Sequence, residues 1–357
     1  MTGAISKKGL APSDQPKAFF ETLSNDGNMG GYQMTKMKLM MGVMLTGAAL
    51  AFTAVTADAA KIAVIGGKAD DLFWNKIKKG MDDACLAVVA NGGSCNYLQL
   101  QTYDNLGADA AQLIRTAISQ GATGIVIPDW VPEAEDPAIK EAMEKGIKII
   151  LINAGNGDKA KELGAINYVG NDEGDAGLAA GANFAKNGQK NIICVNTVPG
   201  AANLEARCKG VIDGAAAAGS KAVQLPLPAS SFGDPTAVAE AIKATLLKDD
   251  TIDGVITISA GDGDSAATGI EQAGKTGKAI LASFDFNQSG LDRIKAGTQG
   301  FAIDQQPYLQ ANIGVNLLAN YIDFGNLLPT FPVLTGPGII DSTNIDATLM
   351  GVKAGAR

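Results

Sequence analysis

Regular alternation of short apolar segments with longer segments of helical periodicity constrains the fold of this chain most. The first unit begins with an apolar run ending in glycine at residues 61–67, and residues 74–90 follow with apolar side chains at helical spacing. Further strands are predicted at 96–101, 124–128, 147–152, 166–170, 191–196, 221–225, 254–258, 279–284 and 299–303. Further helices are predicted at 107–120, 135–145, 173–187, 203–218, 235–248, 264–274, 288–296 and 306–324.

This alternation predicts an α/β fold with parallel sheets and helices on both faces. About ten strands are many for one sheet in a chain of this length, so two lobes of roughly four to six strands fit better. The first break in the pattern falls near residues 167–172. Ligands of such sheets bind beyond the carboxyl ends of the strands, so the residues directly after each strand are the candidates for function.

Charge and composition argue against several classes of function. The 357 residues include 29 basic and 37 acidic side chains, which gives a net charge of −8. This balance offers no basic footprint for nucleic acid or anionic lipid. The chain has no histidine, so the usual general base near neutral pH and the commonest transition-metal ligand are missing. A hydrolase or a zinc enzyme is therefore less expected.

Residues 34–59 have the features of a secretory signal peptide. Two lysines precede an apolar run at 39–55, and Ala57-Asp58-Ala59 supplies small residues at the cleavage positions. Residues 1–33 are interpreted as a non-native or disordered leader, with translation starting at a methionine near the beginning of the signal. A transmembrane anchor is the alternative, but the run is short for a spanning helix. The mature protein is expected in the periplasm.

The chain has four cysteines, Cys85, Cys95, Cys194 and Cys208. An even number in an exported protein predicts two disulfides, for which three pairings are open. Cys85–Cys95 and Cys194–Cys208 are the favoured pairs, because each joins a helix to a neighbouring strand. A metal site is the competing interpretation, but the spacings and the lack of histidine are atypical of one.

Polar residues follow several of the predicted strands. The first strand leads into residues 70–74, DDLFW, where acceptors precede two aromatic side chains at a helix start. Asn153, Asp285 and Asp304-Gln305 follow three other strands, and the loop 259–264 reads SAGDGD. Carboxylates and amides bond to sugar hydroxyls, and aromatic faces pack against sugar C–H groups. The recurrence of such residues predicts a site for a neutral polyhydroxyl ligand.

Each of these residues also has an ordinary structural interpretation. Asp70 or Asp71 is a suitable helix cap, and Trp74 is a suitable core residue. Gly66-Gly67 and Gly261-Asp262-Gly263 do not complete a dinucleotide-binding motif, and the neighbouring aspartates would oppose a pyrophosphate. A calcium loop around Asp262 lacks the alternating ligand series and the distal glutamate. We therefore expect neither a cofactor nor a metal.

Seven segments occur in a characteristic order along residues 61–345: DLFWNKIKKGMDDA, GIVIP, IILINAG, YVGNDEGDAG, LEARCKG, SFDFN and FAIDQQPYLQ. In order and spacing they resemble the periplasmic sugar-binding proteins of ABC transporters, of the ribose-binding type. The cysteine of LEARCKG and the IDQQPYLQ ending are similar to a subgroup that includes binders of monosaccharides and polyols.

The resemblance implies two Rossmann-like lobes with parallel sheets joined by a three-stranded hinge, the type 1 periplasmic binding protein fold. It implies that the chain crosses between the lobes near 168–171, 303–306 and 331–337, and that the lobes close around the ligand. The predicted lobes are N-terminal, residues 60–168 plus 306–333, and C-terminal, residues 169–305 plus 334–357.

The resemblance also implies ligand-binding roles residue by residue. Phe73 and Trp74 match the stacking aromatics of the family, and Asp71 matches a polar ligand position just before them. Asp285 matches the ligand aspartate of the F-D motif, and Gln305 matches the ligand glutamine.

Other positions depart from the family pattern. Asn153 stands where ribose-type proteins have an aspartate followed by an arginine, and Ala154 replaces that arginine. Glu205 replaces a second sugar-binding arginine, whereas Arg207 matches an arginine that is more often structural. The two losses put ribose itself in doubt and favour another pentose, a hexose or an alditol.

Two more residues complete the candidate ligand-binding set. Asp262 lies on a loop that carries a ligand asparagine or aspartate in the family, although the alignment slips there by a residue or more. Asn203 is the first residue of the predicted helix 203–218. No catalytic residue is assigned.

These observations predict a monomeric receptor of an ABC importer, which captures a neutral monosaccharide or sugar alcohol and delivers it to a permease in the inner membrane. A sugar sensor for chemotaxis or signalling is an alternative that the sequence does not separate from it. A secreted carbohydrate-active enzyme would need paired carboxylates such as Asp71 and Asp285, but no histidine and no cofactor loop support it. A transcription regulator would need a DNA-binding domain where the signal peptide stands.

Overall fold

The computed structural model describes residues 59–326 and 330–357. The predicted leader at 1–33 and the predicted signal peptide, apart from its last residue, lie outside this part of the chain. Within the described residues, the structure contains no helix with the length and hydropathy needed to span a membrane.

Twelve strands form two six-stranded sheets within the described residues. The strands are β1 (Lys61–Gly66), β2 (Ser94–Gln99), β3 (Gly124–Ile127), β4 (Lys148–Ile152), β5 (Asn167–Asn171), β6 (Asn191–Asn196), β7 (Lys221–Pro226), β8 (Gly254–Thr257), β9 (Ile280–Phe284), β10 (Gln299–Asp304), β11 (Val333–Gly336) and β12 (Gly338–Ile340). The first sheet has the order β11-β5-β4-β3-β1-β2, and the second has the order β12-β10-β9-β8-β6-β7. All pairings are parallel except that of β12 with β10.

Helices connect the strands and cover the sheets. They are α1 (Leu72–Ala90), α2 (Leu106–Ser119), α3 (Pro132–Glu144), α4 (Asn156–Leu163), α5 (Glu173–Lys186), α6 (Ala202–Ala217), α7 (Pro235–Lys248), α8 (Ala260–Gln272), α9 (Gln288–Ala296), α10 (Pro307–Phe324) and α11 (Ile345–Lys353). Each sheet with the helices packed on it is called a lobe below. The arrangement confirms the predicted α/β class with two lobes.

Burial along the strands follows from their place in the sheets. The central strands β3 and β8 read GIVI and GVIT and are buried at every residue, because helices cover both faces of the sheet. The edge strands β2 and β7 contain exposed residues. On α1 the five apolar residues of the predicted helical pattern are all buried, namely Trp74, Ile77, Met81, Ala84 and Val88.

The chain passes between the two sheets three times. After β5 of the first sheet it continues through α5 to the second sheet, and after β10 it returns through α10, which packs on the first sheet. The short strands β11 and β12 make the third passage, since β11 pairs with β5 and β12 pairs with β10. The residue numbers predicted for the lobe boundaries remain a prediction.

Several elements differ from the sequence prediction. The helices α4 and α11 were not predicted, because each has only nine residues or fewer and buries just two side chains. The helix α8 begins at Ala260 rather than residue 264, because the Ser259 side chain accepts a hydrogen bond from the Asp262 amide and starts the helix earlier. The segment predicted as a polar loop is therefore the first turn of a helix.

The favoured pairing of the cysteines is confirmed. Cys85 of α1 is bonded to Cys95 of β2, and Cys194 of β6 is bonded to Cys208 of α6. Each bond ties a helix to a strand of the same lobe.

Candidate functional site

A cleft of about 490 Å³ lies between the lobes, beyond the carboxyl ends of the strands. It adjoins a second space of about 710 Å³. The two spaces share Asp71, Phe73, Phe232, Ser259 and Asp285 in their lining. Eight of the ten predicted ligand-binding residues line the 490 Å³ cleft: Asp71, Phe73, Trp74, Asn153, Asn203, Arg207, Asp285 and Gln305.

Aromatic rings from the first lobe form one side of the cleft. Phe73 and Trp74 open α1, and their rings meet edge to face with centroids 5.0 Å apart. Trp130, three residues after β3, packs edge to face on Trp74 at 5.4 Å. Trp74 and Trp130 are almost fully buried, yet both line the cleft. Trp74 is therefore a core residue that also borders the cleft, and its role in ligand binding stays a prediction.

Asp71 is the predicted helix cap, and its carboxylate also lines the cleft. One carboxylate oxygen caps α1 by accepting a 3.0 Å hydrogen bond from the Phe73 amide. The other accepts a 2.9 Å hydrogen bond from the Tyr103 hydroxyl. Burial raises the pKa of Asp71, and these two hydrogen bonds oppose that shift. The cap fixes the carboxylate at the cleft, with lone pairs left for a ligand hydroxyl.

The second lobe places a buried ion pair behind the cleft. Arg207 on α6 donates to both carboxylate oxygens of Glu173, through Nε at 2.7 Å and Nη2 at 2.8 Å. It also donates to the Ile258 carbonyl and to Oε1 of Gln305, each at 2.8 Å. Its guanidinium lies over the Phe284 ring, 4.5 Å from the centroid. These contacts occupy most of its N–H groups, so Arg207 chiefly holds Gln305 in place.

Gln305 in turn orients Asp285. The Gln305 amide nitrogen donates to both carboxylate oxygens of Asp285, at 3.1 and 2.9 Å. Burial raises the pKa of Asp285 to about 7, against the opposing charges of Arg207 and Lys76. Asp285 has φ of 58°, in the left-handed region that aspartate tolerates better than most residues.

Asn153 and Asn203 meet across the cleft. Asn153 follows β4 with φ of 59°, and its Oδ1 accepts a 3.2 Å hydrogen bond from Nδ2 of Asn203 in the second lobe. The Oδ1 atom of Asn203 is buried and has no partner among the described residues. An acceptor left in this way at the cleft wall suits a ligand hydroxyl.

The remaining two predicted residues lie outside the lining of the 490 Å³ cleft. Asp262 lines the adjoining space, where it accepts a 2.8 Å hydrogen bond from Thr197, and burial raises its pKa to about 6. Glu205 lines neither space and instead accepts hydrogen bonds from the Gly200 amide at 2.9 Å and the Gln224 side chain at 3.1 Å. The helical repeat explains this, because Asn203 and Arg207 share one face of α6 and Glu205 faces away.

Sequence reasoning missed three aromatic residues of the lining, Tyr103, Trp130 and Phe232. Trp130 lies three residues after β3, so a search that extended a few residues beyond each strand would have found it. Tyr103 and Phe232 lie in loops and carry no such signal. Within the described residues, no group of three or more acidic or cysteine side chains is placed to hold a metal ion.

Two α/β lobes that face a cleft lined by aromatic rings and by amides and carboxylates from both lobes define a two-lobed solute-binding protein. The sequence profile described as periplasmic binding protein domain matches residues 62–326. The chain therefore belongs to the periplasmic binding protein family.

Known proteins support this assignment. The chain is 32% identical to a carbohydrate transporter from Acidothermus cellulolyticus 11B, whose structure was solved in complex with myo-inositol. That match covers 84% of this chain and all of the other chain, and its TM-score is 0.75. It is 23% identical over 307 residues to the xylose/arabinose-binding protein XylF of Sulfolobus acidocaldarius, covering 82% of this chain and 74% of that protein. A solute-binding protein from Agrobacterium vitis with bound D-fucose shares the fold, with a TM-score of 0.71, 24% identity, and coverage of 82% and 99%.

Proposed function

We propose that this protein is the substrate-binding receptor of an ABC importer, which captures a neutral monosaccharide or sugar alcohol in the cleft between its lobes. The observation that carries the proposal is the composition of the cleft. Aromatic rings, most of them from the first lobe, line the cleft together with carboxylate and amide groups from both lobes. A polyhydroxylated ring has the matching chemistry, because its C–H face packs on aromatic rings and its hydroxyls bond to carboxylates and amides.

The relatives narrow the class of ligand. The Acidothermus protein, 32% identical, binds myo-inositol, and the Sulfolobus protein is named for xylose and arabinose. These compounds share a ring or chain of adjacent hydroxyls and carry no charge. The cleft of this protein supplies two carboxylates and three side-chain amides as partners, in Asp71, Asp285, Asn153, Asn203 and Gln305.

The rest of the proposal concerns location and delivery. The protein is exported to the periplasm by a signal peptide at residues 34–59 that is then cleaved, and it works as a monomer that hands its ligand to a permease. It is a receptor rather than an enzyme. The family assignment and the transport role of its relatives support this part of the proposal.

A thermal-shift panel of sugars and polyols tests the proposal. We expect at least one of myo-inositol, D-xylose, L-arabinose, D-fucose or D-allose to raise the melting temperature, because a ligand that binds only the folded state stabilises it. Asp285→Asn should reduce the shift strongly. Asp82→Asn changes an exposed carboxylate of α1 and should leave the shift unchanged. A shift by an amino acid or peptide, with none by any polyhydroxyl compound, would contradict the proposal.

A further inference from the structure

Among the described contacts, Tyr103 is the one cleft residue that bonds to the Asp71 carboxylate and also packs against an aromatic ring of the opposite lobe. It lies in the loop between β2 and α2 and is 8% exposed. Its hydroxyl donates to Oδ2 of Asp71 at 2.9 Å and accepts from the Lys68 amide at 3.2 Å. These two bonds fix the hydroxyl between the loop after β1 and the helix cap.

The ring of Tyr103 meets Phe232 of the second lobe. Their centroids are 4.9 Å apart and the planes are 81° apart, which is an edge-to-face pair. The ammonium group of Lys68 lies 5.9 Å from the Tyr103 centroid and 5.8 Å from the Phe232 centroid. We call Lys68, Tyr103 and Phe232 the aromatic latch. It lies at the junction of the two spaces, since Phe232 lines both.

Two hydrogen bonds between the lobes have no ligand carboxylate as a partner. The Ala202 amide donates to the Trp130 carbonyl at 2.8 Å, and Lys76 donates to the Phe286 carbonyl at 3.1 Å. Neither bond includes Asp71. Tyr103 differs, because its hydroxyl sets Asp71 and its ring contacts the other lobe.

We propose that Tyr103 is a positioning residue that couples the orientation of Asp71 to closure of the lobes through the aromatic latch. This inference rests on the proposed function, since it assumes a ligand that contacts Asp71. Closure brings Phe232 onto the Tyr103 ring and restricts its motion, which holds the hydroxyl against Asp71. A ligand bonded to Asp71 therefore favours the closed lobes, and the closed lobes favour the ligand by the same factor.

Two substitutions at one position separate the hydroxyl from the ring. Tyr103→Phe removes the bonds of the hydroxyl to Asp71 and to the Lys68 amide and keeps the ring in the latch, so we expect myo-inositol to bind roughly 10-fold more weakly by calorimetry. Tyr103→Leu removes both, so we expect a further loss of affinity and faster release. Tyr308→Phe is the matched control, because its hydroxyl also donates to an aspartate at 2.9 Å, but on α10 and α1 away from the cleft. It should bind as the unmodified protein does.

Distances between the lobes test the latch without any ligand. Spin labels on Leu86→Cys in α1 and Leu247→Cys in α7 use exposed positions, and all four native cysteines are in disulfides. We expect Tyr103→Phe to keep the ligand-free distance distribution. Tyr103→Leu should shift it to longer distances, with a closed-to-open ratio lower by roughly 2- to 10-fold.

The outcomes are distinguishable. Unchanged affinity of Tyr103→Phe would remove the positioning role, and identical distance distributions for the two variants would remove the latch. If the unmodified protein binds no myo-inositol, that ligand choice fails, and the distance measurement still decides whether the ring of Tyr103 holds the lobes together.

Discussion

The two lobes repeat one architecture and differ in the side chains that they present. The strand order β11-β5-β4-β3-β1-β2 of the first corresponds to β12-β10-β9-β8-β6-β7 of the second. Asn153 follows β4 and Asp285 follows the equivalent β9, with φ values of 59° and 58°. The fold thus offers each lobe the same polar position at the cleft, a left-handed residue with a short polar side chain.

The equivalent helices α1 and α6 show the difference. After β1 the chain starts α1 with Phe73 and Trp74, whereas after β6 it starts α6 with Asn203 and places Arg207 one turn later. The start of α1 therefore adds aromatic rings to the cleft, and the start of α6 adds hydrogen-bonding side chains. The shared backbone sets where the cleft lies, while a few side chains at the helix starts set the chemistry that the cleft offers.

Helix packing differs between the lobes as well. In the first, α10 packs on α1, where Gly80 allows the approach. In the second, α5 packs on α6 through four glycines, at each of which an added Cβ would lie 2.2–2.4 Å from a backbone oxygen of the facing helix. They are Gly177, Gly181, Gly210 and Gly214. The close packing brings Glu173 of α5 to Arg207 of α6.

Arg207→Met gives the largest expected effect. The side chains of Arg207 and Glu173 are 3% and 6% exposed, so the substitution leaves an uncompensated buried carboxylate. We expect the free energy of unfolding, measured by urea denaturation with the disulfides intact, to fall by about 3–5 kcal/mol.

The first lobe supplies the control for that substitution. Arg115 pairs with Glu141 at the surface, with side chains 46% and 42% exposed. Arg115→Met should cost less than about 1 kcal/mol. Equal losses at the two positions would show that the buried network contributes no more than a surface ion pair.

Removal of the disulfides compares the lobes a second time. Replacing both cysteines of either pair by serine should lower the free energy of unfolding by about 3 kcal/mol, because the closed loops are of similar length. The loss should be larger for Cys194 and Cys208, since both are fully buried and their serine hydroxyls would lack partners, whereas Cys85 and Cys95 are partly exposed. Urea denaturation of the two double variants measures the difference, and the reverse order would contradict it.

Gly210→Ala tests the close approach of α5 and α6. The new Cβ would lie 2.4 Å from the carbonyl oxygen of Gly174, so the helices must separate, at an expected cost of about 1–3 kcal/mol in thermal or urea unfolding. Gly290→Ala in α9 is the control, because its nearest neighbour would lie at 3.5 Å. There alanine should be neutral or stabilising. A neutral result at Gly210 would mean that the helices can separate freely.

The sequence predicted the sheets well because their signal is local. A buried parallel strand is a short apolar run, and the few residues after it lie near the cleft edge, so Asp71, Asn153 and Asp285 could be placed there without coordinates. Trp130, three residues after β3, falls within the same range. Tyr103 and Phe232 could not be found in this way, because their contact depends on how two loops distant in sequence meet when the lobes face each other.

Two other differences from the sequence prediction concern helices. The SAGDGD segment was interpreted as a loop from its composition, but the bond from the Asp262 amide to Ser259 starts α8 there. Glu205 was taken from alignment alone, and the repeat of α6 directs it away from the cleft. Both features follow from local geometry that composition and alignment do not contain.

Both lobes are expected to contribute to a pH dependence of stability. Burial raises the pKa of Asp285 to about 7 in the second lobe, and burial and the neighbouring Asp136 raise the pKa of Asp129 to about 7 in the first. In the unfolded chain both should titrate near the ordinary value of 3.8. Between these values the folded protein binds more protons than the unfolded chain, so these groups make stability fall as the pH rises from about 4 to about 7.

Asp285→Asn and Asp129→Asn isolate the two contributions. With no ligand present, the melting temperature of each variant should rise relative to that of the unmodified protein as the pH rises through that window. If only Asp285→Asn shows the change, the cleft carboxylate alone carries the dependence, and the two lobes differ in electrostatics as they do in the side chains of the cleft. A change in the opposite direction would mean that the folded protein favours the charged form of Asp285. The attraction of Arg207 and Lys76 would then outweigh the effect of burial.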